Sequence, residues 1–240
     1  MLHYSMNLLE LILLFVMAFL PPIIYVIWIR NTEKYNREKW KPIFLCFIWG
    51  ASIAVIAAVI LEYFLHFSLA ISIDDQNTIA LATVIIIAPF VEELTKPLAF
   101  RLRTVRKELD ELEDGLIYGA VAGLGFSATE NLLYGSSFMT EGLLYFFILI
   151  SLRSVGGCLL HASATAWTGY GYGKTIMRHT SMIRVLPYFL LAVIVHALYN
   201  SLLSFEFIGA IVGLFAALTL TIITIQIVRV KIKTLDESTA

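Results

Sequence analysis

Apolar residues fill long stretches of the chain, and polar residues gather in the short breaks between them. A helix that crosses a bilayer needs about 17–25 such residues to span a hydrocarbon core of roughly 30 Å. Seven stretches meet that length: about 7–29, 43–66, 78–100, 115–136, 143–172, 185–204 and 207–229. The third and fifth are expected to be the least apolar, because they carry charges inside. The predicted fold class is all-α, a polytopic membrane protein of about seven transmembrane helices.

The breaks differ in charge. Arg30, Lys34, Arg37, Lys39 and Lys41 lie between the first two stretches, and Arg101, Arg103, Arg106 and Lys107 between the third and fourth. Lys174, Arg178 and Arg184 precede the sixth, and Arg229, Lys231 and Lys233 follow the seventh. The intervening breaks near Ser68–Asn77, Gly135–Gly142 and Phe205–Glu206 carry no Lys or Arg. This alternation predicts an N-terminus outside and a C-terminus in the cytoplasm, since basic loops stay cytoplasmic. The first apolar run, Leu11–Ile29, has no basic region before it and is too long for a signal peptide, so a retained helix is expected.

Composition agrees with this. Of 240 residues, 59% are hydrophobic and 15% are charged, with a mean hydropathy of +0.84. A soluble domain carries about 25% charged residues. A disordered chain is excluded and a soluble globule disfavoured. The net charge of −1 offers nothing to nucleic acid. No separate soluble domain is expected, so residues 1–240 read as one integral membrane domain in the cell membrane, with the lipid bilayer as its surroundings. Cys46 and Cys158 lie inside apolar runs with no metal-binding spacing and are expected to be small buried residues. Gly115, Gly119 and Gly123 recur every four residues, a stripe that lets a neighbouring helix approach closely. Gly169, Gly171 and Gly173 follow no strand, so a phosphate-binding loop is not expected.

The chemistry lies in the polar residues that interrupt the apolar stretches. Glu92, Glu93, Lys96, Glu130 and Arg153 would together cost on the order of 12–17 kcal/mol at the centre of a bilayer if left uncompensated. Pairing, protonation or a metal must offset that. Glu92 and Glu93 stand four and three residues before Lys96, within reach along one helix face, and two carboxylates exceed what one lysine neutralises. His161 and His196 sit at similar estimated depth on two further stretches, with Thr165 and Asn200 one turn on. Arg153, two turns before His161, is placed to anchor a carboxylate such as Glu130 or to snorkel outward. Glu62 and His66 fall at the outer end of the second stretch and are expected to be interfacial. Histidine, glutamate and asparagine without thiolate suit a catalytic zinc site with a position open to water. A metal-free route, with a glutamate activating water and Asn200 stabilising the oxyanion, fits the same residues.

In order along the chain, Glu92-Glu93-Leu-Thr-Lys96, Phe126-Ser-Ala-Thr-Glu130-Asn131, His161 with Thr165, and His196 with Asn200 resemble the four motifs of the PrsW family of intramembrane proteases. The flanking Asp114-Gly115-Leu-Ile-Tyr118-Gly119 and Gly169-Tyr170-Gly171 are similar too. The resemblance spans about Ile79 to Ser204. In the related CAAX-processing type proteases the second motif ends in His, and Glu130 at that place favours the PrsW family. The resemblance implies that the carboxylate pair and the histidines are catalytic or metal-binding and that a membrane-anchored polypeptide is cleaved. Founding members of the family cut a membrane-anchored anti-sigma factor.

The expectation is therefore an intramembrane endopeptidase with a core at about 78–204. Glu92 or Glu93 is the general base, and Glu93, Glu130, His161 and His196 form the pool of zinc ligands. Asn200 is an oxyanion donor or a support behind the ligands. Two rivals use the same residues: an ion- or proton-coupled transporter or channel, and a non-catalytic membrane scaffold.

Overall fold

A computed structural model describes residues 6–205 and 209–239. Among them there is no strand, and the chain is a multi-pass integral membrane protein built from seven long helices. These are α1 (Leu8–Arg30), α2 (Trp40–Ser72), α3 (Gln76–Arg101), α4 (Leu112–Met139), α5 (Leu143–Met177), α6 (Leu186–Ser204) and α7 (Ala210–Thr239). A single turn, Arg103–Arg106, sits in the connection before α4, and a 3₁₀ turn, Met182–Val185, leads into α6. The expected break at Phe205–Glu206 and the start of the seventh stretch at 207 lie partly outside the described residues.

Polar chemistry sets the helix ends. Asn7 Oδ1 accepts from Glu10 N at 3.0 Å while Asn7 N donates back to the Glu10 carboxylate at 2.9 Å, closing a capping box on α1. Asp75 caps α3 by accepting from Asn77 N and Thr78 N. α7 runs about ten residues past the expected end at 229. Its buried stripe, Ala217, Thr221, Ile225, Val228, Ile232 and Asp236, keeps helical spacing through the charged tail, so packing overrides the loss of apolarity.

Six of the seven helices are long and apolar enough to cross a membrane, with the 3₁₀ turn counted as part of the sixth helix; α4 falls short. This corrects the expectation that the third and fifth stretches are the least apolar. α4 is the helix the others enclose: Glu113 through Ala128 are buried without interruption. A helix shielded by protein needs no apolar face toward lipid, so glycine and polar residues are tolerated on it. The outer faces of its neighbours, by contrast, expose Phe15, Ile56, Phe64, Ile194 and Phe215.

The glycine stripe does what its spacing predicts. A methyl on Gly123, Gly119 or Gly115 would overlap the backbone carbonyl of His161, Thr165 or Gly169 on α5. α4 and α5 thus touch backbone to backbone in a ladder of four-residue steps, and His161 and Thr165 are on its rungs. Gly169 and Gly171 pack inside α5 against Gly115 and Tyr188, in keeping with the absence of a phosphate loop. Ile29, Ile43, Leu116, Ile117, Leu124, Ile225 and Ile232 belong to the main apolar core beside this ladder.

Candidate active site

α3 is irregular where its polar residues begin. Its first turns are α-helical, Thr83–Ile87 is π-helical, and Lys96–Arg101 is 3₁₀. The Ala88 N–H reaches back five residues to the Thr83 carbonyl. In that register the Val84 carbonyl would accept from residue 89, which is proline and has no N–H. Asn200 Nδ2, from α6, donates to the Val84 carbonyl instead, at 2.8 Å. The proline thus frees an acceptor that ties α6 to α3 one turn from His196.

Beyond the irregularity, Glu92, Glu93 and Lys96 turn inward. Lys96 and Glu93 are both 0% exposed. The Lys96 ammonium spends its three protons on Glu92 Oε2 at 2.9 Å, Glu93 Oε1 at 2.9 Å and His161 Nδ1 at 2.8 Å. It also lies 4.3 Å from the centre of the Phe126 ring, a cation–π contact that helps hold a charge away from water. Both oxygens of Glu93 are engaged: Oε1 by Lys96 and His196 Nδ1 (3.0 Å), and Oε2 by the Thr165 hydroxyl (2.7 Å).

The histidines are held alike. His161 Nε2 meets Glu130 Oε2 at 2.7 Å, as His196 Nδ1 meets Glu93. With each carboxylate accepting an N–H, the other ring nitrogen of each histidine is left without its proton. Those nitrogens, His161 Nδ1 and His196 Nε2, lie 3.7 and 4.0 Å from Glu92 Oε2. The rings stand edge to face with centres 5.0 Å apart. Glu92, His161 and His196 each offer one donor atom, and the three donors lie within 4.8 Å of one another. A carboxylate behind each ligating histidine is the usual way to fix its tautomer.

Glu130 and Glu93 stand behind the histidines rather than in that trio. Arg153 Nη2 donates to Glu130 Oε2 at 2.8 Å and Arg153 Nε to Asn131 Oδ1 at 2.9 Å, so the arginine anchors the carboxylate and its neighbour together. Cys158 is buried and reduced and accepts weakly from Ser127 and Asn131.

A cavity of about 540 Å³ lies over the site. Glu92, Glu130, Arg153, His161, His196 and Asn200 line it, as do Glu62 and Tyr199. Glu93 does not. Phe138, Leu203 and Ser204, at the far ends of α4 and α6, also line it, so it runs toward the end of the bundle that carries no basic breaks. Glu62, expected at a water-exposed interface, faces the same space as Glu92 and Glu130. Its spacing gave no sign of this, because the π-helical turn Gly50–Ala54 shifts the phase of α2 ahead of it. The contact between Lys96 and His161 was equally invisible, since it joins residues on two helices.

The sequence matches the profile of a family described as PrsW family intramembrane metalloprotease over residues 38–227. It is 29% identical to a Protease PrsW of Clostridioides difficile (strain 630) over 122 residues, 50% of this chain and 50% of that protein. It is 29% identical to a Protease PrsW of Oceanobacillus iheyensis over 188 residues, 77% of this chain and 80% of that one. The chain thus spans about half the length of the first relative and four fifths of the second. No solved structure matches it.

Proposed function

The chain belongs to the PrsW family of intramembrane metalloproteases, and from that premise we propose that it is an endopeptidase that cleaves a membrane-anchored polypeptide in the cell membrane. In this reading all seven helices cross the bilayer, the N-terminus is outside, and one membrane domain carries its hydrolytic core at about 78–204. The observation that carries the proposal is the convergence of Glu92, His161 and His196 at the floor of a cavity, each histidine backed by a carboxylate from another helix.

The donor set fits the family's metal. Two imidazole nitrogens and a carboxylate oxygen, with no thiolate, form the ligand set of a catalytic zinc site that keeps one position open. Glu92, His161 and His196 would hold the ion, and when bound it would supply Lewis-acid polarisation of a peptide carbonyl and a more acidic water. Glu93 and Glu130 would keep the two rings in the ligating tautomer. Lys96 would have to give up His161 Nδ1 when the ion enters, and Glu93 would keep its ammonium nearby.

The residues themselves suit a general-base hydrolysis. Glu92 belongs to the cavity wall, and its Oε1 has no hydrogen-bond partner among the described residues, whereas Glu93 does not line that cavity and has both oxygens engaged. Glu92 takes a proton from water as the oxygen attacks the scissile carbonyl carbon. It returns that proton to the amide nitrogen as the carbon–nitrogen bond breaks. Asn200 has a second Nδ2 proton, beyond the one given to Val84, with which to meet the developing oxyanion. The cavity's course supports entry of water and substrate from the outer side.

The test is cleavage of a tagged single-pass reporter by the full chain in proteoliposomes. Glu92→Gln, His161→Ala and His196→Ala should each lower the rate by about 100-fold or more. A Glu92→Gln protein that cuts at the wild-type rate overturns the reading.

A further inference from the structure

At the end of the bundle that carries the basic breaks lies a second, largely buried group of carboxylates. Glu33 lies in the connection between α1 and α2, Glu111 caps α4, and Glu113 is in its first turn. Each offers one oxygen, and the three oxygens lie within 4.8 Å of one another. Glu33 and Glu113 are both 0% exposed. Among the described residues, five buried side-chain oxygen or nitrogen atoms have no hydrogen-bond partner on another residue. Four of the five are here: Glu33 Oε1, Glu111 Oε2 and both oxygens of Glu113. Buried acceptors left this way are rare and costly, and their clustering in one spot points to a missing partner.

The neighbouring cations make their hydrogen bonds and ion pairs to groups other than these carboxylates. Arg30 Nε donates to the Glu38 carbonyl at 2.6 Å, and its guanidinium lies over Trp40. Arg37 Nε donates to the Glu33 carbonyl, Arg229 to the Thr32 hydroxyl, and Lys39 pairs with Glu108. Among the described residues no ion pair reaches Glu33, Glu111 or Glu113. The adjoining carboxylates are already served. Asp114 Oδ2 accepts the backbone N–H groups of Asp110 and Glu111 at 2.8 and 2.6 Å, and Glu38 Oε2 accepts the Tyr118 hydroxyl. Hydrogen bonds therefore close one half of the acidic cluster and leave the other half with spare acceptors.

We propose that Glu33, Glu111 and Glu113 form a second metal site, for a hard divalent cation of the calcium, magnesium or manganese class. Carboxylate oxygens alone, without imidazole or thiolate, are the donors those ions prefer. Such an ion answers both the unpartnered oxygens and the mutual repulsion. It joins the α1–α2 connection to the start of α4, the helix that carries Glu130. That connection is already fastened to α7, because Lys34 N and Tyr35 N donate to Asp236 at 2.9 and 3.1 Å. The inference is independent of the hydrolase reading, because no residue is shared between the two sites.

The test uses the full chain in detergent, stripped with EDTA and then titrated with Ca²⁺, Mg²⁺ or Mn²⁺ while thermal unfolding is followed. Wild type and His161→Ala should both gain several degrees with at least one ion. The apparent affinity of Glu113→Gln should fall by about tenfold or more. Three results overturn the proposal: no gain at about 10 mM, beyond the weak end of calcium sites; an equal gain in Glu113→Gln; or a gain lost in His161→Ala and kept in Glu113→Gln. Should Glu113→Gln fail to fold, Glu33→Gln takes its place. Equilibrium dialysis of the His161→Ala protein against Ca²⁺ and Mn²⁺ then decides, with binding near one equivalent supporting the site and negligible binding of both ions rejecting it.

Discussion

At the scale of single residues, Lys96 holds the site together before any substrate arrives. One ammonium bridges Glu92, Glu93 and His161, and nothing else among the described residues pairs with Glu92 as a hydrogen-bonded cation. Removing one partner of a buried ion pair leaves the others uncompensated, at about 3–5 kcal/mol. Lys96→Met should therefore lower the unfolding temperature sharply, and Lys96→Met combined with Glu93→Gln should recover part of the loss. Full additivity of the two changes in thermal unfolding would argue against the bridge. Which residues carry unusual polarity was readable from the chain, because a glutamate or histidine among apolar residues is costly wherever it lies. Which oxygen meets which ring nitrogen was not. Glu93 reads in sequence as an equal of Glu92, yet Thr165 and His196 saturate one and the cavity opens on the other.

At the scale of elements, α4 and α5 set the distance between Glu130 and His161. Gly123 sits where any side chain would strike the His161 carbonyl. Gly123→Val should force the helices apart, costing about 1–3 kcal/mol or more from overpacking. It should weaken the Glu130–His161 contact and lower reporter cleavage along with the unfolding temperature. Normal stability and normal cleavage in that variant would mean the ladder tolerates separation. The four-residue glycine spacing made this contact face predictable. The two π-helical turns, Gly50–Ala54 and Thr83–Ile87, carried no comparable signal. They depend on how α2 crosses α4 at Gly50 and Gly125 and on Pro89, and they rotate everything beyond them relative to a regular helix.

At the scale of the whole molecule, the proposed orientation places the zinc-type site on a cavity that opens outward and the oxygen-only site on the cytoplasmic side. Reporter domains fused after Lys107 and after Gly142 should give opposite readings, inside for the first and outside for the second. Two equal readings would mean that α4 does not cross. This is the helix for which the test matters, because α4 is the one long helix among the described residues that is not apolar enough to be counted as a membrane span by composition.

By itself the sequence determined the all-helical membrane class, the alternation of basic and non-basic ends, and the short set of residues too polar for hydrocarbon. These follow from local costs: the length of an apolar run and the cost of a charge within it. The tertiary structure alone decided that α4 is the enclosed helix, that Glu92 joins the two histidines, that Glu93 and Glu130 stand behind them, and that Glu33 meets Glu111 and Glu113. Those depend on how helices far apart in the chain cross. A crossing is set by small residues and backbone irregularities whose effect is felt only when another helix arrives.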